Sequence, residues 1–173
     1  IESYEKYVKD LGIKGDFKEV LENYVKRNWK IDYLIIDEAQ DIDIEFIKKN
    51  TNLPVILKGI TSVSYAKKAV ELGIDAIVVS NHAGRTLDTL PASIEILPKI
   101  ANEIKGKIPI LFDGGIKRGT DVIKAIALGA SAVMIGRPIM YGLATAGALG
   151  VAHTLKILKE ELEVSMIFTG CKN

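Results

Sequence analysis

From Asp32 onward the chain alternates short apolar runs with longer segments whose apolar residues recur at helical spacing. "DYLIID" (32–37) is a brief apolar run ending in an acid and predicts a buried strand, and "IDIEFIKKNT" predicts the helix after it. The pattern then becomes regular. "LPVILKGI", "DAIVVSN", "IPILFDGG" and "SAVMIGR" predict strands, and "SVSYAKKAVELG", "PASIEILPKIANEIKG" and "GTDVIKAIALG" predict the helices between them. Two further helices follow, ending near Glu161. Strands that are apolar without alternation predict a parallel sheet covered on both faces. Strict βα alternation narrows the fold to a doubly wound sheet or a barrel.

Ahead of this array, residues 1–30 read as two short amphipathic helices broken at "GIKGD". Tyr4, Tyr7, Val8 and Leu11 share one helical face, and Phe17, Val20, Leu21 and Tyr24 share another.

An internal repeat favours the barrel. "PVILKGITSVSYAKKAVELGIDAIVVSN" superimposes on "PILFDGGIKRGTDVIKAIALGASAVMIGR", with one insertion at the glycines. Pro54 then matches Pro109, Lys58 matches Asp113, Gly73 matches Gly129, and Ser80-Asn81 matches Gly136-Arg137. A repeated strand–helix–strand unit suits a (β/α)₈ barrel assembled from copies of a quarter. The predicted class is therefore α/β: the C-terminal half of a TIM (β/α)₈ barrel, parallel strands alternating with helices, plus two N-terminal helices.

Composition changes this picture little. The 173 residues carry a net charge of +1, which offers no basic face to nucleic acid or anionic membrane. Cys171 is the sole cysteine, so neither a disulfide framework nor a cysteine-based metal site is available, and no metal is expected. The charged opening is unlike a secretory signal, and no apolar run reaches membrane-spanning length. The default expectation is cytoplasmic, with the peroxisome open beside it although no C-terminal peroxisomal tripeptide is present.

Candidate chemistry gathers at the strand ends: Asp37, Lys58, Ser80-Asn81-His82, Asp113 and Arg137. In a parallel barrel those ends open on one face, where active sites form. "DGGIKRGTD" (113–121) and "IGRP" (135–138) have the makings of an anion site. Gly114 and Gly115 let backbone approach a ligand, a helix opens at Gly119 with N–H groups to spare, and Lys117, Arg118 and Arg137 add cations. The plain alternative is a glycine turn with solvated charges. Lys58 could stabilise an anion, form a Schiff base, or simply pair with Asp113. His82 with Arg85 suits a base beside a carboxylate clamp. His153, within a helical run, reads as an ordinary surface histidine.

Taken in order, "LPVILKGI", "VVSNHAGRTLD", "FDGGIKRGTDVIKAIALGASAVMIGRP" and "GCKN" resemble the FMN-dependent α-hydroxy acid oxidase/dehydrogenase family, which includes glycolate oxidase and lactate oxidase. The likeness runs from near Asp43 to the end. It implies FMN as cofactor, a small 2-hydroxy acid of the lactate or glycolate type as substrate, and oxygen or another acceptor for the electrons. It implies His82 as the base, Arg85 as the residue that binds the substrate carboxylate, and Lys58 at the flavin edge where negative charge grows. Ser80 would contact the flavin, while Asp113, Gly114, Gly115, Ile116, Lys117, Arg118, Gly136 and Arg137 would form the ribityl-phosphate site.

Position 117 is usually Arg in that family; Lys keeps the charge and loses the fork. Ala83 and Thr86 stand where Gly and Gln are common. The family's first strands have no counterpart, since a barrel of this kind takes about 250 residues. A half-barrel exposes strand edges, so the chain is expected to form a homo-oligomer.

"DYLIIDEAQD" resembles the Walker B segment of DNA helicases of the first superfamily, whose acids hold Mg²⁺. No GxxxxGK[ST] loop accompanies it, so ATP has no cradle. The chain accordingly divides into 1–41, an N-terminal helical segment and strand of uncertain origin, and 42–173, the half-barrel. The family's fourth strand also ends in an Asp that orients the histidine, which makes Asp37 the candidate for that role.

Overall fold

The computed structural model describes residues 32–37 and 44–171. The two helices expected within 1–30, and most of the Walker B-like segment, lie outside the described residues.

Five parallel strands form one sheet in sequence order: β1 (Leu34–Ile36), β2 (Val55–Ile60), β3 (Ala76–Val79), β4 (Ile110–Asp113) and β5 (Ala132–Met134). Between them run α1 (Ile44–Asn50), α2 (Val63–Glu71), α3 (Ser93–Ile104) and α4 (Gly119–Ala127), and α5 (Arg137–Thr169) closes the chain. Neighbours in sequence are neighbours in space, as in one arc of a barrel wall and unlike a doubly wound sheet whose order doubles back. The chain therefore has the fold of a partial TIM barrel.

The core lies between the sheet and its helices. Along α3 the apolar positions Ile96, Leu97, Ile100 and Ile104 recur at helical spacing, and all four are buried. They meet Ile77, Val79, Ile110 and Phe112 of the two middle strands in one cluster. Each such side chain contributes roughly 2 kcal/mol by leaving water. The expectation of strands covered on both faces holds only at β3, where all four residues are buried. In β2 the helix-facing Val55 and Leu57 are buried while Ile56 and Lys58 are partly open. A barrel wall without its facing strands leaves the inner side of all but the central strand in contact with solvent.

The terminal helices differ in extent from the sequence reading. They run as α5 past Glu161 to Thr169, and the break between them falls at Ala146 and Gly147 (φ 57°). The chain folds back there because Gly142 and Gly150 let the two segments touch; a Cβ on Gly150 would lie 1.9 Å from the Gly142 carbonyl oxygen.

Candidate active site at the strand ends

Register brings the chemistry together. Ile36 pairs with Leu57 and Lys58 with Val78, so Asp37 stands beside Lys58 just past the end of β1. The Lys58 ammonium donates to both Asp37 oxygens at 3.0 and 3.1 Å. It also lies 3.9 Å from Asp113 at the end of β4. The pairing expected between Lys58 and Asp113 is thus the longer of two, and Asp37 is the main partner. Only 13% of the Lys58 side chain is exposed. Two carboxylates offset the cost of withdrawing that cation from water.

Ser80 is buried between β3 and β4, where its hydroxyl donates to Asp113 Oδ2 at 2.6 Å and accepts the His82 amide at 3.0 Å. The loop after β3 is tied down further by Ser93. The Ser93 hydroxyl accepts the Asn81 N–H at 3.0 Å, and the Asn81 side chain donates to the Pro91 carbonyl at 3.1 Å. His82 begins a single 3₁₀ turn, His82–Gly84, with left-handed φ of 54° at both His82 and Ala83. Its Nδ1 stands 3.5 Å from Thr86 Oγ1. Arg85 follows on the same loop with its side chain exposed.

A cleft of about 310 Å³ is lined by Asp37, Ser80, His82 and Thr86, with Leu87 and Leu90 among its apolar walls. A second hollow of about 340 Å³ sits at the opposite end of the strands, against Ala101, Gly129 and Ser131. No titratable side chain lines it. The chemistry belongs to the former.

Past β4, Gly114 and Gly115 have φ of 116° and 82°, a region L side chains avoid. A Cβ at Gly115 or Gly136 would project into open space, so backbone at both places can be approached closely. Lys117 and Arg137 are exposed beside them and form no ion pair with the described residues. The arrangement fits an anion held by two glycine loops and two cations.

One expectation is narrowed here. Just ahead of α4, Lys117 and Arg118 N–H both donate to Asp121 Oδ2 at 3.0 Å, and the first amide of the helix, Gly119 N–H, donates to Glu161 Oε2 at 2.9 Å. The helix starts at Gly119 as predicted, but these three amides are already engaged. Carboxylates satisfy them, as helix starts favour.

Sequence reasoning also passed over Ser93, Asp121 and Glu161. Asp121 had a readable signal, since an acid shortly after a helix start reaches back to free amides. Ser93 stands where a helix-opening serine is common. Glu161 lies 42 residues from its partner and had none.

The model of the FMN-dependent dehydrogenase family matches residues 11–173. The chain belongs to that family. Curated relatives include a peroxisomal (S)-2-hydroxyacid oxidase of Arabidopsis thaliana, 53% identical over 129 residues that cover 75% of this chain and 36% of the relative. L-lactate oxidase of Nostoc sp. is 51% identical over 129 residues, covering 75% and 35%. Among solved structures, mandelate oxidase with benzoyl-formic acid superposes with a TM-score of 0.72 at 49% identity, over 74% of this chain and 38% of that one. The chain spans about a third of the length of the curated relatives it matches.

Proposed function

We propose that the chain carries the flavin-facing half of an enzyme that oxidises a small 2-hydroxy acid of the lactate or glycolate type to its 2-oxo acid. One observation carries this reading: Lys58 and the His82 loop meet at adjacent strand ends, linked through Asp37, Asp113 and Ser80. A relative named L-lactate oxidase and another named 2-hydroxyacid oxidase 1, from Homo sapiens, support the substrate class. Family membership supports FMN.

When bound, FMN supplies an acceptor for the two electrons that a 2-hydroxy acid gives up. The residues of this chain do the rest. Arg85 holds the substrate carboxylate by paired N–H donors. His82 takes a proton at Nε2, with Nδ1 turned toward Thr86. Lys58, paired with Asp37 and Asp113, would offset negative charge that grows on a bound flavin. Ser80 fixes the end of β3 against Asp113 and would contact a bound flavin. Gly114, Gly115, Ile116, Lys117, Arg118, Gly136 and Arg137 would hold its phosphate, and Asp113 anchors the first of these loops. Turnover would require oxygen or another electron acceptor. Residues 42–173 supply all of these groups except Asp37, which comes from 1–41.

Among the described residues β1 and β5 each have a strand on one side only. Such edges recruit further strands, so the chain is expected to self-associate. Sedimentation as a stable monomer would contradict that expectation.

Incubation with FMN followed by desalting tests the function. A yellow protein that bleaches on anaerobic addition of lactate or glycolate is the expected result, and a colourless one would overturn it. The second reading is a non-catalytic FMN-binding or fusion fragment acting as an interaction module. A yellow protein that never bleaches would select that fragment.

A further inference from the structure

The phosphate loop after β4 is held from below by a residue far along the chain. Glu161 on α5 accepts the Gly119 N–H at 2.9 Å, across a contact so close that a Cβ on Gly119 would lie 2.1 Å from the Leu162 nitrogen. Gly119 is buried. Two residues earlier, Lys117 begins the amide pair that Asp121 gathers at 3.0 Å. The turn from Gly115 to Gly119 is therefore pinned at its C-terminal end by two carboxylates. Its N-terminal end continues β4.

Those carboxylates also decide where an anion's charge can be met. A helix start draws anions through unsatisfied amides and the dipole behind them. Here the three successive amides of residues 117–119 face carboxylates, so they offer little to a phosphate. The remaining attraction comes from Lys117 and Arg137 and from backbone at Gly115 and Gly136, where nothing blocks close approach.

We propose that Glu161 is a positioning residue for the FMN phosphate: it clamps Gly119 so that the loop from Gly114 to Lys117 is preformed, and it does so by accepting a hydrogen bond and not by its charge. The proposal rests on the flavin reading above. The carboxylate itself opposes a nearby phosphate, so a neutral acceptor of the same shape serves as well or better.

The test compares FMN with riboflavin, which lacks the phosphate, on the full chain and on two variants. Binding is read by flavin fluorescence, and loop order by hydrogen exchange at Gly119 and residues 114–117. Glu161→Gln is expected to keep the exchange protection and to match or exceed the wild-type preference for FMN. Glu161→Ala is expected to lose protection and to lower that preference about tenfold, the worth of a strong hydrogen bond. An unchanged preference in Glu161→Ala, or a loss in Glu161→Gln as large as in Glu161→Ala, would overturn the proposal. A wild-type chain that binds neither flavin would instead sink the flavin reading, and the wild-type arm separates the two failures.

Discussion

The Ser80 hydroxyl donates to the Asp113 carboxylate at 2.6 Å, joining the ends of β3 and β4 beneath the candidate site. The same oxygen accepts the His82 amide at 3.0 Å, so one buried hydroxyl fixes both the acid that faces Lys58 and the loop that carries the histidine. Ser80→Ala removes the shared partner of both and leaves two partly buried polar groups without that hydrogen bond. The expected cost is about 2 kcal/mol, read as a lower urea midpoint with an unchanged slope. Ser80→Thr keeps the hydroxyl and is expected to lose less, provided its extra methyl finds room.

Ala83 holds a left-handed backbone, φ 54°, beside a histidine with the same φ. A Cβ in that region is disfavoured by about 1 kcal/mol, and glycine removes the penalty. Ala83→Gly is expected to raise stability by up to that amount, less what glycine's extra freedom costs the folded state. A midpoint lower than wild type would show that the alanine methyl makes a contact worth more than the strain.

At the other end of the sheet, Asp75 accepts the Val55 N–H at 2.8 Å and the Lys48 ammonium at 3.0 Å. The Val55 hydrogen bond, with Lys48 behind it, holds the Asp75 carboxyl below the ordinary aspartate range against a smaller opposing effect of burial. A depressed acid stabilises the fold above its unfolded pKa and loses that contribution as pH falls through the folded value. Asp75→Asn is therefore expected to destabilise by roughly 1 kcal/mol at pH 7, because the exposed pair is screened by solvent. The gap between variant and wild type should close below about pH 4. A gap that stays constant down to pH 2 would exclude the carboxylate charge as its source.

Asp37 pairs with Lys58 and lines the same cleft as His82. If it orients the imidazole, Asp37→Asn keeps the yellow colour of the FMN-loaded chain and slows its bleaching by lactate or glycolate at least about tenfold. Anaerobic stopped-flow absorbance of both proteins reads this directly. Identical bleaching rates would sink the role.

Much of this site was legible because barrel chemistry repeats. The match of Lys58 with Asp113, and of Ser80-Asn81 with Gly136-Arg137, locates the strand ends in the sequence itself. Strand and helix order followed from apolar periodicity alone. What periodicity could not carry was pairing across long stretches of chain. Lys58 had two acids within reach, and only the register of β1 against β2 selects Asp37. The engagement of the Gly119 amide by Glu161 depends on the fold-back at Gly147, which brings the last helical segment over Gly119. Full burial of both strand faces, predicted from unbroken apolar runs, presumes facing strands that the described residues do not include.

The most direct test of the account mixes the FMN-loaded chain anaerobically with lactate or glycolate while flavin absorbance is followed, for the wild type and for His82→Ala. The account predicts bleaching by the wild type. It predicts that His82→Ala keeps the yellow colour and bleaches at least about 100-fold more slowly, the scale of a lost general base. A wild-type chain that binds FMN and never bleaches with any small 2-hydroxy acid would contradict the central claim, as would His82→Ala bleaching at the wild-type rate.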